Sequence, residues 1–139
     1  MRAAAAETSI AGIAAAPDDS CRALAGRWHG RLSGNDANVD ATLEIRTSDD
    51  CRNVQGMLLW RSETSGASDR MVSGTWDGHG HQIVARDTAL ALDDPQGGWH
   101  FCPIDRYELT LSPDGSRLAG TYDSRQCHDH ATVLLSRAH

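Results

Sequence analysis

Two H-x-H pairs stand out among the seven histidines: His79 and His81 in "DGHGHQ", and His128 and His130 in "CHDHAT". Alternate residues of a strand share a face, so two imidazoles at this spacing aim the same way, as a metal site requires. A protein zinc site needs at least a third ligand. No C-x-x-C and no Cys–His zinc spacing supplies one. His79 falls in a turn, and His128 and His130 fall at the start of the last strand. We therefore expect no metal and no cofactor; a metal-dependent enzyme would have to be built from these four histidines.

Other catalytic chemistry finds little purchase. The chain has 13 Arg and no Lys, which removes Schiff-base and lysine general-base mechanisms. It contains no G-x-S-x-G elbow, no H-E-x-x-H and no glycine-rich phosphate loop. Asp87, in "VARDTA", sits where an inward-facing residue is expected. A buried carboxylate has a shifted pKa and is a functional candidate on that ground. Its ordinary fate is to pair with an arginine, and Arg86, Arg106 and Arg137 are available. No catalytic residue is assigned.

Aromatic side chains offer a different chemistry. Trp60, Trp76, Tyr107 and Tyr122 all fall on inward strand positions and are the ligand-binding candidates. Rings of that kind line a pocket or fill a core, and the core is the commoner fate.

These residues depend on strands to position them. In "YELTLSPDGSRLAGTY", Tyr107, Leu109 and Leu111 alternate with polar residues, and Leu118, Gly120 and Tyr122 do the same after the turn. Pro113, Asp114 and Gly115 carry the turn chemistry. Pairing Leu111 with Leu118 sets Leu109 on Gly120 and Tyr107 on Tyr122; the register one residue away would oppose Leu111 to Arg117. Extended five steps each way, this ladder brings Cys102 opposite Cys127, close enough for a disulfide. Cys21 and Cys51 are then left for each other.

The same alternation recurs along the chain. Trp28, Gly30 and Leu32 share a face, as do Val39, Ala41, Leu43 and Ile45. So do Val54, Gly56, Leu58 and Trp60; Val72, Gly74 and Trp76; and Ala131, Val133, Leu135 and Arg137. "SETSGASD" and "DDPQGG" read as loops, and "HQIVARDTALAL" as a long strand broken near Asp87. The expected fold is all-β: an antiparallel up-and-down meander of about eight short strands closing into a small barrel. Gly56, Gly74 and Gly120 on the inward face would let its strands bend.

With 139 residues, a single domain over 21–139 is the natural division. Residues 1–20 are Ala-rich and read as a disordered tail, a degraded signal peptide or a linker. No apolar run reaches the length of a membrane span. The net charge of −6 argues against nucleic acid as a partner. Four cysteines in two pairs imply an oxidising compartment, periplasmic or secreted.

The two ends of the chain resemble calycin-like barrels, the lipocalin and avidin type. Gly26-Arg27-Trp28 in the first strand and Arg137 in the last are similar to that group's terminal residues. The "VQG", "VSG" and "LAG" strand beginnings are also similar to the avidin type. The resemblance implies that Arg137 packs across Trp28 to close one end of the barrel, a structural role. It supplies no ligand residues.

The function expected from all this is a small exported, non-catalytic binding module. Its target would be a small apolar ligand in the barrel or a protein partner at the loops around residues 33–38, 62–69 and 93–98. An accessory domain of a larger protein and a metal-dependent barrel enzyme are the alternatives.

Overall fold

The computed structural model describes residues 19–34, 38–64, 66–95, 104–124 and 127–138. A 3₁₀ helix, Asp19–Leu24, leads into eight strands: β1 Gly26–Gly34, β2 Asn38–Thr47, β3 Asn53–Ser62, β4 Gly66–Asp77, β5 Gln82–Pro95, β6 Arg106–Leu111, β7 Arg117–Ser124 and β8 Asp129–Arg137. Each pairs antiparallel with its neighbour in sequence, and β8 returns to β1, closing an up-and-down barrel. Closure runs from Trp28↔Arg137 through Leu32↔Val133 to Gly34↔Ala131, so the sheet has no free edge along that seam. Among the described residues no helix is long and apolar enough to cross a membrane.

Side-chain alternation builds the core. Val39, Ala41, Leu43 and Ile45 of β2 are all buried, as are Val54, Leu58 and Trp60 of β3 and Val133 and Leu135 of β8. The β6–β7 hairpin has the pairs Leu111↔Leu118, Leu109↔Gly120 and Tyr107↔Tyr122. Its turn is held by the Asp114 carboxylate, which accepts from the Ser112 and Ser116 hydroxyls and the Ser116 N–H. Those bonds lower the Asp114 pKa to about 2.

Inward glycines let the strands close tightly. An ideal Cβ on Gly120 would run into the Glu108 backbone carbonyl, and one on Gly56 into that of Glu44. The neighbouring strand occupies the space a side chain would need.

Alternate turns fall at opposite ends of the barrel. At one end the 3₁₀ helix folds under, with Cys21 and Leu24 fully buried. Cys21 is disulfide-bonded to Cys51, just before β3, with Cα atoms 5.5 Å apart. The Trp28 indole N–H donates to the Leu24 carbonyl at 2.8 Å, and the Arg137 guanidinium lies 4.4 Å from the Trp28 ring centroid. Arg137 also donates to the Ala25 carbonyl at 3.1 Å. The other end carries the β1–β2, β3–β4, β5–β6 and β7–β8 connections.

Two stretches differ from the sequence expectation. "SETSGASD" was expected to be a loop, but β4 begins within it at Gly66. "DDPQGG" was expected to be a loop, but β5 extends to Pro95. The expected irregularity at Asp87 is a register shift against Met71 and Val72, with a second shift against Asp69 and Arg70. These are bulges, at which a strand carries an extra residue and bends without ending.

Candidate functional site: a charged cluster inside the loop-bearing end

The inward face of β4 changes character along the strand. Ser68, Arg70, Val72, Gly74 and Trp76 lie on alternate positions of one strand, and Ser68, Arg70, Val72 and Trp76 are buried. The inward face turns from apolar to polar toward the loop-bearing end. Ser68 is fully buried and Arg70 is 2% exposed.

Arg70 is the centre of a buried network. One terminal nitrogen, Nη1, donates to Asp87 Oδ2 at 3.2 Å, to Asp105 Oδ2, and to the Tyr107 hydroxyl at 3.3 Å. Its Nε donates to the Ser68 hydroxyl at 3.1 Å. The guanidinium carbon lies 5.9 Å from the Trp60 ring centroid, within cation–π range. Burial opposes the charge of Arg70, but Tyr107, Asp105 and Asp87 more than offset it and hold the guanidinium above its usual value.

The two carboxylates are not equivalent. Asp87 accepts on both oxygens: from the Tyr107 hydroxyl at 2.8 Å on Oδ1, and from the Asp105 backbone N–H at 3.0 Å and Arg70 on Oδ2. Asp105 is fully buried and accepts from Arg70 on Oδ2, while its Oδ1 has no hydrogen-bond partner. The Ser124 hydroxyl stands beside that carboxyl without closing a bond to Oδ1. Burial raises the Asp87 pKa against the pull of Arg70. Burial raises that of Asp105 to about 6, also against Arg70 and with Asp87 adding to the rise. Tyr107 is pushed well above its ordinary value by burial and then by Asp87, so its phenol stays protonated and donates.

The sequence-predicted aromatics divide between the two ends. Trp60, Tyr107 and Tyr122 surround the Arg70 cluster, with the tyrosine rings 5.8 Å apart. Trp76 lies toward the other end, stacked on His81 with parallel rings 6.0 Å apart. All four are core residues, from 4% to 8% exposed. Tyr107 also lines an apolar interior cavity of about 30 Å³, shared with Leu32, Leu43, Val72, Leu109 and Val133. A cavity that size is about a tenth or less of an ordinary small-molecule pocket.

The partner of Asp87 is none of the three arginines expected from the sequence. Arg86 and Arg106 are exposed, and Arg137 is at the opposite end over Trp28. Arg70 pairs with Asp87 instead. The signal was present: Arg70 has the same parity as Val72, Gly74 and Trp76, so one further turn of the alternation places it inside.

The histidine pairs do not converge. His79 and His81 are exposed on the β4–β5 turn, and His130 is exposed and ion-paired with Asp123 at 2.7 Å. His128 is exposed, with a positive φ of 51°. Among the described residues no three His, Cys, Asp or Glu side chains are placed to hold a metal ion.

The Cys102–Cys127 pairing expected from the ladder involves Cys102, which lies outside the described residues. None of the described cysteines is free.

No protein-family model matches the chain, and no curated protein matches it.

Proposed function

We propose that this chain is a non-catalytic binding module of an oxidising compartment, periplasmic or secreted, built in the manner of calycin-like barrels. Its partner is a protein docked on the loop-bearing end. The observation that carries this reading is the filled interior. Among the described residues the interior space is about 30 Å³, about a tenth or less of what an apolar ligand of the usual size needs. The opposite end is occupied by the 3₁₀ helix, the Cys21–Cys51 disulfide and the Arg137–Trp28 contact, which leaves the end above the Arg70 cluster as the docking surface of a rigid scaffold. The disulfide supports the compartment, and the Arg137–Trp28 contact supports the calycin likeness.

Site-specific photocrosslinking in the native host tests this. One crosslinker replaces Glu63, exposed on the β3–β4 connection, and another replaces Asp114, exposed on the opposite end. The proposal expects one defined protein captured from position 63 and not from 114. It further expects Glu63→Arg with Thr64→Arg to weaken the purified pair at least tenfold. No capture at 63, equal capture at both ends, or unchanged affinity in the double variant would overturn it.

A further inference from the structure

Among the described residues, two carboxylates, one guanidinium and a phenol share the interior at the loop-bearing end, and with both acids ionised these four groups would carry one uncompensated negative charge. A net charge in a water-poor interior is strongly disfavoured. The hydrogen-bond inventory says where the compensation goes. Both oxygens of Asp87 are occupied by donors, whereas Oδ1 of fully buried Asp105 has none. A metal ion would need several converging ligands, and no such group exists among the described residues. A small molecule or water would need space beside Oδ1, and among the described residues the interior cavity is not lined by Asp105. A proton needs no cavity.

We infer that the cluster is a proton-binding site in which, under mildly acidic conditions, Asp105 is neutral, protonated on Oδ1 and facing the Ser124 hydroxyl, while Asp87 remains ionised between Arg70 and Tyr107. Among the described residues, the polar groups packed against it are Arg70 from β4, Asp87 from β5, Tyr107 from β6, and Tyr122 and Ser124 from β7. Asp129, at the start of β8, acts on Tyr122. Arg106, next to Asp105 in sequence, is exposed and paired with Glu108 on the outside. Arg70 is thus the one cation shared by the two acids within this group.

The site has a mechanical consequence. Asp105 joins β5 to the start of β6: its carbonyl accepts from the Asp87 N–H at 3.0 Å, and its own N–H donates to Asp87 Oδ2 at 3.0 Å. Deprotonation places two buried anions across this joint between β5 and the residue that leads into β6. A carboxyl whose folded pKa lies above its unfolded one stabilises fully below the unfolded value, and that contribution is lost as pH rises through the folded value. With Asp105 raised to about 6, the loss falls between roughly pH 4 and pH 6, at about tenfold in the unfolding constant per pH unit.

Carboxyl-carbon NMR on the wild-type protein, with urea unfolding across pH on wild type and Asp105→Asn, tests the inference. The Asp105 Cγ resonance should titrate near 6, and Asp87 should lose its proton at a lower pH than Asp105. Asp105→Asn should remove about a hundredfold rise in the unfolding constant between pH 4 and pH 7. An ordinary Asp105 midpoint, a high midpoint at Asp87 instead, or the same pH slope in a folded Asp105→Asn would overturn it. Should the variant not fold, the wild-type resonances alone decide.

Discussion

Arg70 has nowhere to put its charge except onto its neighbours. An exposed arginine such as Arg27, paired with Glu44 at 2.6 Å, keeps its hydration, and such pairs contribute little. Arg70 has lost its water and is compensated by Asp87, Asp105 and the Tyr107 oxygen. Removing one member of a buried set leaves the others unpaired. Arg70→Met is therefore expected to cost about 3–5 kcal/mol in urea unfolding at neutral pH, whereas Arg27→Ala should stay within about 0.5 kcal/mol. Equal effects of the two changes would mean that Arg70 reaches solvent. This residue also marks what the sequence concealed. Alternation placed Asp87 inside and raised the question of its partner, but an arginine after "SETSGASD" looks like part of a polar loop. The parity that would have placed it inside is outweighed by polarity when the interior itself is polar.

At the scale of strands, legibility followed the chemistry of the face. Where inward positions are apolar, as in β2 or in the β6–β7 hairpin, parity alone gives the face and the register, because a one-residue slip would expose every buried group. Where they are polar, as in the first half of β4, or where bulges reset parity, as in β5 beyond Asp87, the pattern fails and the strands read shorter than they are. The glycines belong to this scale as well. Gly120 lies opposite Leu109, and a Cβ there would meet the backbone carbonyl of Glu108. A backbone atom cannot swing aside as a side chain can, so the two strands must separate. Gly120→Ala should cost about 1–3 kcal/mol, read as a lowered midpoint in thermal unfolding. Gly115→Ala, with open space around its Cβ position but a φ of 75°, should lose only the turn strain, of order 1 kcal/mol. A Gly120→Ala variant as stable as wild type would show that the strands are not this close.

For the whole molecule, two different kinds of closure operate. The sheet closes on itself through β1 and β8, and one end is sealed by the 3₁₀ helix tied to the β2–β3 turn by Cys21–Cys51. The disulfide spans 30 residues, and its loss through Cys21→Ser with Cys51→Ser should cost about 2–4 kcal/mol by chain-entropy reasoning. Chemical unfolding of the oxidised protein and of that double variant reads the difference. A negligible difference would mean that the helix holds that end closed by packing alone. Overall architecture was legible because closure needs only a count of alternating strands and short connections. The content of the barrel was not, since alternation says which side chains face inward but not whether they meet across the interior.

Whether they meet is the point on which the functional reading turns. Methyl NMR of the protein titrated with a medium-chain fatty acid reports on it directly, through Ile83, Leu109 and Val133, which line the interior cavity. A barrel filled by its own side chains predicts no saturable shift of these methyls at any accessible ligand concentration. Saturable shifts of all three, with a common dissociation constant, would show that the barrel takes up a ligand and would contradict the account.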